Sequence, residues 1–87
     1  MSVIKKKIWP EYYEKIISGT KKYELRLNDF DANTGDTLVL EEWNPATQQY
    51  TGRSIEKVIT TVDHINLEQF WKAEDILEKG IQILSFE

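Results

Sequence analysis

The chain has 87 residues, enough for one domain with a single hydrophobic core and too few for a second. It contains no cysteine, so disulfide bonds and thiolate metal sites are excluded. Its formal net charge of −4 is uneven, because residues 1–28 carry seven Lys or Arg against three Glu, whereas residues 29–87 carry four against twelve acidic residues. This asymmetry predicts one basic patch that would steer an anion to a single place.

The first predicted elements are a strand over Lys5–Trp9 and a helix over Glu11–Ser18. Pro10 suits the first helical position, because it has no N–H to leave unsatisfied there. Gly19 is predicted to end the helix in a left-handed conformation. Apolar residues at helical spacing form the expected buried stripe: Tyr13, Ile16 and Ile17. The lysines of the strand either belong to the basic patch or form a solvated edge that discourages aggregation.

Lys21 to Leu27 alternates in a way that predicts a second strand. One face carries Tyr23, Leu25 and Leu27, and the other carries Lys22, Glu24 and Arg26. A carboxylate flanked by cations on a short strand suggests a ligand pocket. Residues 28–36 are rich in Asn, Asp and Gly, which predicts a loop.

The rest of the chain predicts three more strands and one helical region. Strands are expected over Thr37–Trp43, Ser54–Val62 and Ile81–Phe86, with a turn over residues 44–49. A helix or two short helical turns are expected over Leu67–Lys79, ended by Gly80. The pattern predicts an α+β fold of about five mostly antiparallel strands, closed into a small barrel because an open sandwich of this size would leave long edges exposed.

An ordered set of motifs resembles the ASCH domains, which belong to the PUA-like superfold of small β-barrels. The set comprises Ile8-Trp9-Pro10-Glu11-Tyr12-Tyr13, Ile17-x-Gly19-x-Lys21-Lys22-x-Glu24-x-Arg26-x-Asn28-Asp29, Gly35-Asp36-x-Leu38, Glu41-Glu42-Trp43-x-Pro45 and Tyr50-Thr51-Gly52-Arg53. It covers residues 4–62 almost continuously and is similar to a bacterial and phage branch that is mostly uncharacterised. The resemblance implies a single ASCH/PUA-like domain over residues 1–87, with one helix after the first strand and a short helical segment before the last.

The resemblance also implies a cleft beside the barrel that binds RNA or a nucleoside- or nucleotide-like ligand. Lys21 and Arg26 would contact phosphate or a carbonyl oxygen, and Glu24 would accept hydrogen bonds from a base or ribose. The implied ligand-binding set is Lys21, Glu24, Arg26, Asn28, Asp29, Gly35 and Asp36. The structural alternative is that Glu24 and Arg26 merely pair across a solvated strand face. Trp43, beside the Asn44-Pro45 turn, suits core packing and stacking on a base equally well.

Two alternative functions stay open. Some compact ASCH proteins are amidohydrolases that act on acetylated cytidine, and others are ribonucleases. The resemblance then implies catalytic roles for Lys21 and Glu24, but Glu24 stands where the amidohydrolases have a nucleophilic Thr, and a carboxylate acts instead as a base or holds a water. The third hypothesis is a protein-interaction module that uses a sheet edge or the aromatic residues Phe70 and Trp71.

No apolar run approaches the ~20 residues needed to cross a bilayer, and the N-terminus lacks the apolar segment of a signal peptide. A cytoplasmic protein without membrane association is therefore expected. His64 is the single histidine of the chain and cannot by itself form a metal site, so the sequence predicts neither a metal nor a cofactor.

Overall fold

The computed structural model describes residues 1–84. Its elements in chain order are β1 Val3–Ile8, α1 Pro10–Ile17, β2 Thr37–Asn44, β3 Gln49–Val58, a single 3₁₀ turn Leu67–Gln69 and α2 Ala73–Lys79. The long segments between α1 and β2 and between β3 and the 3₁₀ turn have no regular structure.

The three strands form one mixed sheet in the order β1-β2-β3. β1 runs parallel to β2, with Val3 opposite Thr37 and Ile8 opposite Glu42. β2 and β3 form an antiparallel hairpin that closes at Asn44 and Gln49. Parallel neighbours need a long crossover, which α1 and residues 18–36 supply.

The predicted barrel of five mostly antiparallel strands is therefore wrong. Residues 1–84 contain three strands, the β1–β2 pair is parallel, and the sheet is not closed. The strand predicted over Ser54–Val62 begins and ends earlier than expected, at Gln49 and Val58. Of the predicted closing strand, residues 81–84 form no strand, and Ser85 and Phe86 lie outside the described residues.

The predicted strand Lys21–Leu27 is also wrong, although its alternation is real. A strand requires a backbone ladder with a neighbour, and this segment makes none. Leu25 and Leu27 are exposed, so the apolar face that suggested a strand does not pack into the core. This segment is irregular, and side-chain contacts tie it to the rest of the molecule.

The core lies between α1 and the face of the sheet that carries Ile8 and Leu40. It consists of Ile8, Tyr13, Ile16 and Leu40, with Leu38 and Ile55 packed against it. The α1 helix is confirmed: Pro10 stands in its first turn, and Gly19 follows its end with a φ of 81°. Ile17 is half-exposed, so the buried stripe of α1 is narrower than predicted.

The prediction of two short helical turns over Leu67–Lys79 is confirmed in outline. The Asn66 side chain accepts a hydrogen bond from the Glu68 backbone N–H and caps the 3₁₀ turn. Gly80, with a φ of 70°, ends α2. Both elements are largely exposed.

Candidate functional site

Lys21, Glu24 and Arg26 are brought together in the irregular segment that follows α1. The Glu24 carboxylate accepts from both cations, with Lys21 Nζ 2.6 Å from Oε1 and Arg26 Nε 3.0 Å from Oε2. The side chains of Lys21 and Glu24 are only 13% and 14% exposed, whereas Arg26 is 32% exposed. Each carboxylate oxygen is thus engaged by one cation, and the cluster carries one net positive charge.

Backbone contacts fix this segment against α1 and β1. The Lys21 backbone N–H donates to the Lys15 carbonyl at the end of α1. Lys21 Nζ also donates to the Tyr23 carbonyl at 2.8 Å, and Arg26 Nη2 donates to the Lys7 carbonyl of β1. β1 is an edge strand in the described part of the chain, so Arg26 satisfies a backbone acceptor at a sheet edge.

A shallow cavity of about 190 Å³ adjoins this cluster. Its lining combines two tyrosines, two lysines, one hydroxyl and one apolar side chain: Tyr12, Tyr23, Lys15, Lys21, Thr20 and Ile83. Lys21 Nζ lies 4.8 Å from the centroid of the Tyr23 ring and 6.0 Å from that of Tyr12. Aromatic faces beside fixed cations are suited to an unsaturated, anionic ligand.

The other residues of the implied binding set lie apart from this cavity. Asn28 and Asp29 are exposed in the loop that follows Arg26. Gly35 and Asp36 precede β2 at the end where Val3 pairs with Thr37, four residues along β1 from Lys7. At about 3.3 Å per residue, that is ~13 Å from the carbonyl that Arg26 contacts. A ligand role for these four residues stays a prediction.

Asp36 has a structural task at its end of the sheet. Its carboxylate is buried and accepts from the backbone N–H groups of Ser2 at 2.8 Å and Asn33 at 2.9 Å. The hydrogen bond from Ser2, followed by that from Asn33, lowers the pKa of the Asp36 carboxyl below its ordinary value. Asp36 therefore joins the start of β1 to the loop before β2.

A second polar cluster, which the sequence analysis did not identify, centres on Glu42. Between the pairs Glu41–Ser54 and Trp43–Tyr50, β2 has only Glu42, while β3 has Thr51, Gly52 and Arg53. This bulge, with Gly52 at a φ of 93° that favours glycine, directs Thr51 and Arg53 toward the Glu42 carboxylate.

Glu42 is 2% exposed, and every oxygen of its carboxylate has a partner. Arg53 donates from Nε to Oε1 at 2.9 Å and from Nη2 to Oε2 at 2.7 Å, and Thr51 Oγ1 also donates to Oε1. The Arg53 hydrogen bonds, followed by that of Thr51, lower the pKa of Glu42, and Glu42 with Glu14 raises the pKa of Arg53. Because Arg53 and Thr51 already donate to both oxygens of the Glu42 carboxylate, we assign this cluster a role in the stability of the fold.

A sequence signal for this cluster exists in β2. Leu38, Leu40 and Glu42 share one face of the strand; Leu40 belongs to the core, and Leu38 packs against it. A carboxylate at the next position of an inward face predicts a buried charge, which requires a cationic partner. The chain has only two arginines, and Arg53 is the one within reach of a hairpin partner.

A second cavity lies beside α2, and the described part of the chain has no metal site. A cavity of about 320 Å³ beside α2 has Trp71, Ile76 and Ile81 among its lining residues. Within residues 1–84, no three His, Asp or Glu side chains converge to hold a metal ion. None of the helices that the structure describes has the length and apolar character required to cross a membrane.

Comparison with known proteins identifies a family but no activity. A family model described as a domain of unknown function, DUF3850, matches residues 4–78. The chain is 35% identical over 60 residues to a protein of Escherichia phage P2 described as an uncharacterised 12.9 kDa protein in the GpA 3′ region. The match covers 69% of this chain and 53% of the phage protein, so the chain spans about half the length of that curated relative. No solved structure matches.

Proposed function

The chain belongs to the DUF3850 family, and on that premise we propose that it binds RNA or a nucleotide-derived ligand at the cavity beside Lys21, Glu24 and Arg26. The observation that carries the proposal is the convergence of these three side chains next to an aromatic cavity. The resemblance to ASCH domains implies the same class of ligand and itself stays a prediction.

The cavity offers a separate partner for each part of a nucleotide. Tyr12 and Tyr23 present ring faces on which a base stacks. Lys15 and Lys21 supply ammonium groups for a phosphate, and Arg26 adds a partly exposed guanidinium. Glu24 is the acceptor for base or ribose donors, because each of its oxygens retains lone-pair capacity after the contacts with Lys21 and Arg26.

Titration of the full chain with uridine 5′-monophosphate, followed by amide NMR shifts, tests this proposal. The largest shifts are expected between residues 12 and 26. Lys21→Ala should weaken binding by about tenfold or more, because it removes a charge-assisted hydrogen bond. Lys22→Ala is the matched control, since Lys22 is exposed, carries the same charge and does not line the cavity. Shifts confined to other residues, or equal losses in the two variants, would contradict the assignment.

A small hydrolase is the second candidate, favoured by one contact. Lys21 and the Thr20 hydroxyl line the same cavity, and Glu24 lies 2.6 Å from Lys21 Nζ. A carboxylate and an ammonium side by side can position a water for attack on an acyl group. Incubation with N4-acetylcytidine, compared between the unmodified protein and Lys21→Ala, tests this reading. Turnover no higher than that of the variant would remove it.

A further inference from the structure

Lys7 connects the cavity to a second group of aromatic residues. Its carbonyl accepts from Arg26 Nη2, and its side chain extends over two rings of the β2–β3 hairpin. Lys7 Nζ lies 4.6 Å from the centroid of Trp43 and 5.6 Å from that of Tyr50. Lys7 therefore contacts Arg26 through its backbone carbonyl, and it contacts the rings of the hairpin through its side chain.

The second group, Trp43, Tyr50 and Lys7, is called the hairpin platform. Trp43 and Tyr50 are cross-strand partners beyond the bulge, close to the hairpin turn. Tyr50 is 54% exposed, and Lys7 is exposed. An exposed tyrosine beside an ammonium group repeats the chemistry of the cavity, where Tyr12 and Tyr23 lie beside Lys15 and Lys21.

The two groups lie on either side of the β1 edge. Residues Val3, Lys5 and Lys7 alternate with Ile4, Lys6 and Ile8, and Ile8 faces the α1 core. The Lys7 side chain, and with it the hairpin platform, therefore belongs to the opposite face of the sheet. Arg26 occupies the edge between them, through its contact with the Lys7 carbonyl. Arg26 and Lys7 thus place two cations at the β1 edge, between the cavity and the rings that β2 and β3 carry on the opposite face.

From this arrangement we infer that the ligand is a single-stranded RNA that places bases on both the cavity and the hairpin platform, with its backbone passing Arg26 and Lys7. The inference rests on the proposed function and specifies its ligand class. A single nucleotide in a cavity of about 190 Å³ would leave the hairpin platform unoccupied. A duplex has its bases stacked internally, so stacking on separate aromatic platforms requires unpaired bases.

The local charge agrees with a polyanion at this edge. Residues 1–28, which contain β1, α1 and the cavity-lining segment, carry four net positive charges on a chain whose total is −4. Phosphates on successive nucleotides would meet Lys21, Arg26 and Lys7 in turn. Sequence-independent binding of this kind depends steeply on salt, because each neutralised phosphate releases counterions.

The test compares uridine 5′-monophosphate with a hexauridylate and with a duplex RNA of equal length, by isothermal titration calorimetry. We expect the hexauridylate to bind at least about tenfold more tightly than the mononucleotide and than the duplex. Tyr50→Ala should weaken hexauridylate binding by about five- to 150-fold and leave mononucleotide binding unchanged, because loss of one stacked base costs that factor. Tyr50→Phe keeps the ring and should retain the affinity for the hexauridylate.

Several outcomes would overturn the inference. Equal affinity for the mononucleotide and the hexauridylate would remove the second platform and leave the proposed function intact, whereas no binding of either would remove both. Binding of duplex RNA as tight as that of the hexauridylate would refute the single-strand assignment. Unchanged hexauridylate affinity in Tyr50→Ala would show that Lys7, Trp43 and Tyr50 only pack together. Amide NMR spectra of each variant separate a lost contact from a lost fold.

Discussion

Replacing Glu24 by Gln should change the affinities for charged and uncharged ligands in opposite directions. The Glu24 carboxylate lies between Lys21 Nζ and Arg26 Nε, at 2.6 and 3.0 Å, and occupies the position of an internal anion. Glutamine has nearly the same shape but carries no charge, and its NH₂ group replaces one of the two oxygens, so one of the two cations loses its acceptor. The substitution therefore leaves one cation available to a phosphate.

The size of the effect follows from Coulomb's law. A phosphate that contacts Lys21 and Arg26 would lie about 5 Å from the Glu24 carboxylate, where a unit charge contributes about 1 kcal/mol in water and about 3 kcal/mol at an effective dielectric constant of ~20. The cluster is only partly exposed, so we expect Glu24→Gln to strengthen uridine 5′-monophosphate binding about tenfold. Uridine, which has no phosphate, should bind about tenfold more weakly, because a charged acceptor is replaced by a neutral one.

Calorimetric titration of both ligands at low and moderate salt measures the two affinities. Glu74→Gln, which removes the same charge from the exposed first turn of α2, is the control and should leave both affinities unchanged. The gain for the monophosphate should shrink as salt increases, because counterions screen the exposed cations. If the two affinities change in the same direction, or if Glu74→Gln reproduces the gain, Glu24 does not act as an internal anion.

Three further predictions concern the fold that supports the site. Glu42 and Asp36 have lowered pKa values, so their contribution to the free energy of unfolding is complete above their ordinary pKa values and is lost as pH falls through the folded-state values. Glu42→Gln should therefore flatten the decline of the free energy of unfolding below pH 4.5, which urea denaturation across pH measures. Leu40→Ala should cost about 2–5 kcal/mol in the same denaturation assay, because Leu40 is 1% exposed in the core, and a smaller loss would contradict that packing. Gly35→Ala should cost about 1–2 kcal/mol, since Gly35 has a φ of 96° and a Cβ there would lie 3.2 Å from Met1 Sδ; an unchanged thermal midpoint would refute this.

Local signals in the sequence predicted the helices and the turn of the hairpin. Pro10 and Gly19 bracket α1 because each has a backbone property that suits one end of a helix. The Asn44–Gln49 turn joins β2 to β3 because polar turn residues interrupt two strand-like runs. The ends of α1 and the hairpin turn depend on residues that are close in sequence, so the sequence alone is sufficient to predict them.

The sheet could not be predicted in the same way, because strand pairing depends on distant residues. Lys21–Leu27 has the alternation of a strand, yet this segment forms no ladder with another part of the described chain. For the site, the alternation predicted that Glu24 and Arg26 lie together, but it placed Lys22 beside them. The structure has Lys21 in contact with Glu24 instead, a residue that only the family resemblance had indicated. The separation of Gly35 and Asp36 from them depends on the register of β1 against β2, which no local pattern specifies. The Glu42–Arg53 pair depends likewise on a bulge that appears only once β2 and β3 are aligned.

The parallel pairing of β1 with β2 has a consequence for the order in which the molecule assembles. The β2–β3 hairpin pairs residues that are close in sequence, such as Trp43 and Tyr50. The β1–β2 pairing joins Val3 to Thr37, which are separated by the whole crossover. Closing the longer loop costs more conformational entropy, so the hairpin should form first and β1 should dock last. The segment that carries Lys21, Glu24 and Arg26 lies inside that crossover, and Arg26 donates a hydrogen bond to the Lys7 carbonyl of β1. Amide hydrogen exchange should therefore show residues 20–29 opening together with β1 while the hairpin stays protected, so that a ligand bridging the β1 edge would slow the release of this strand.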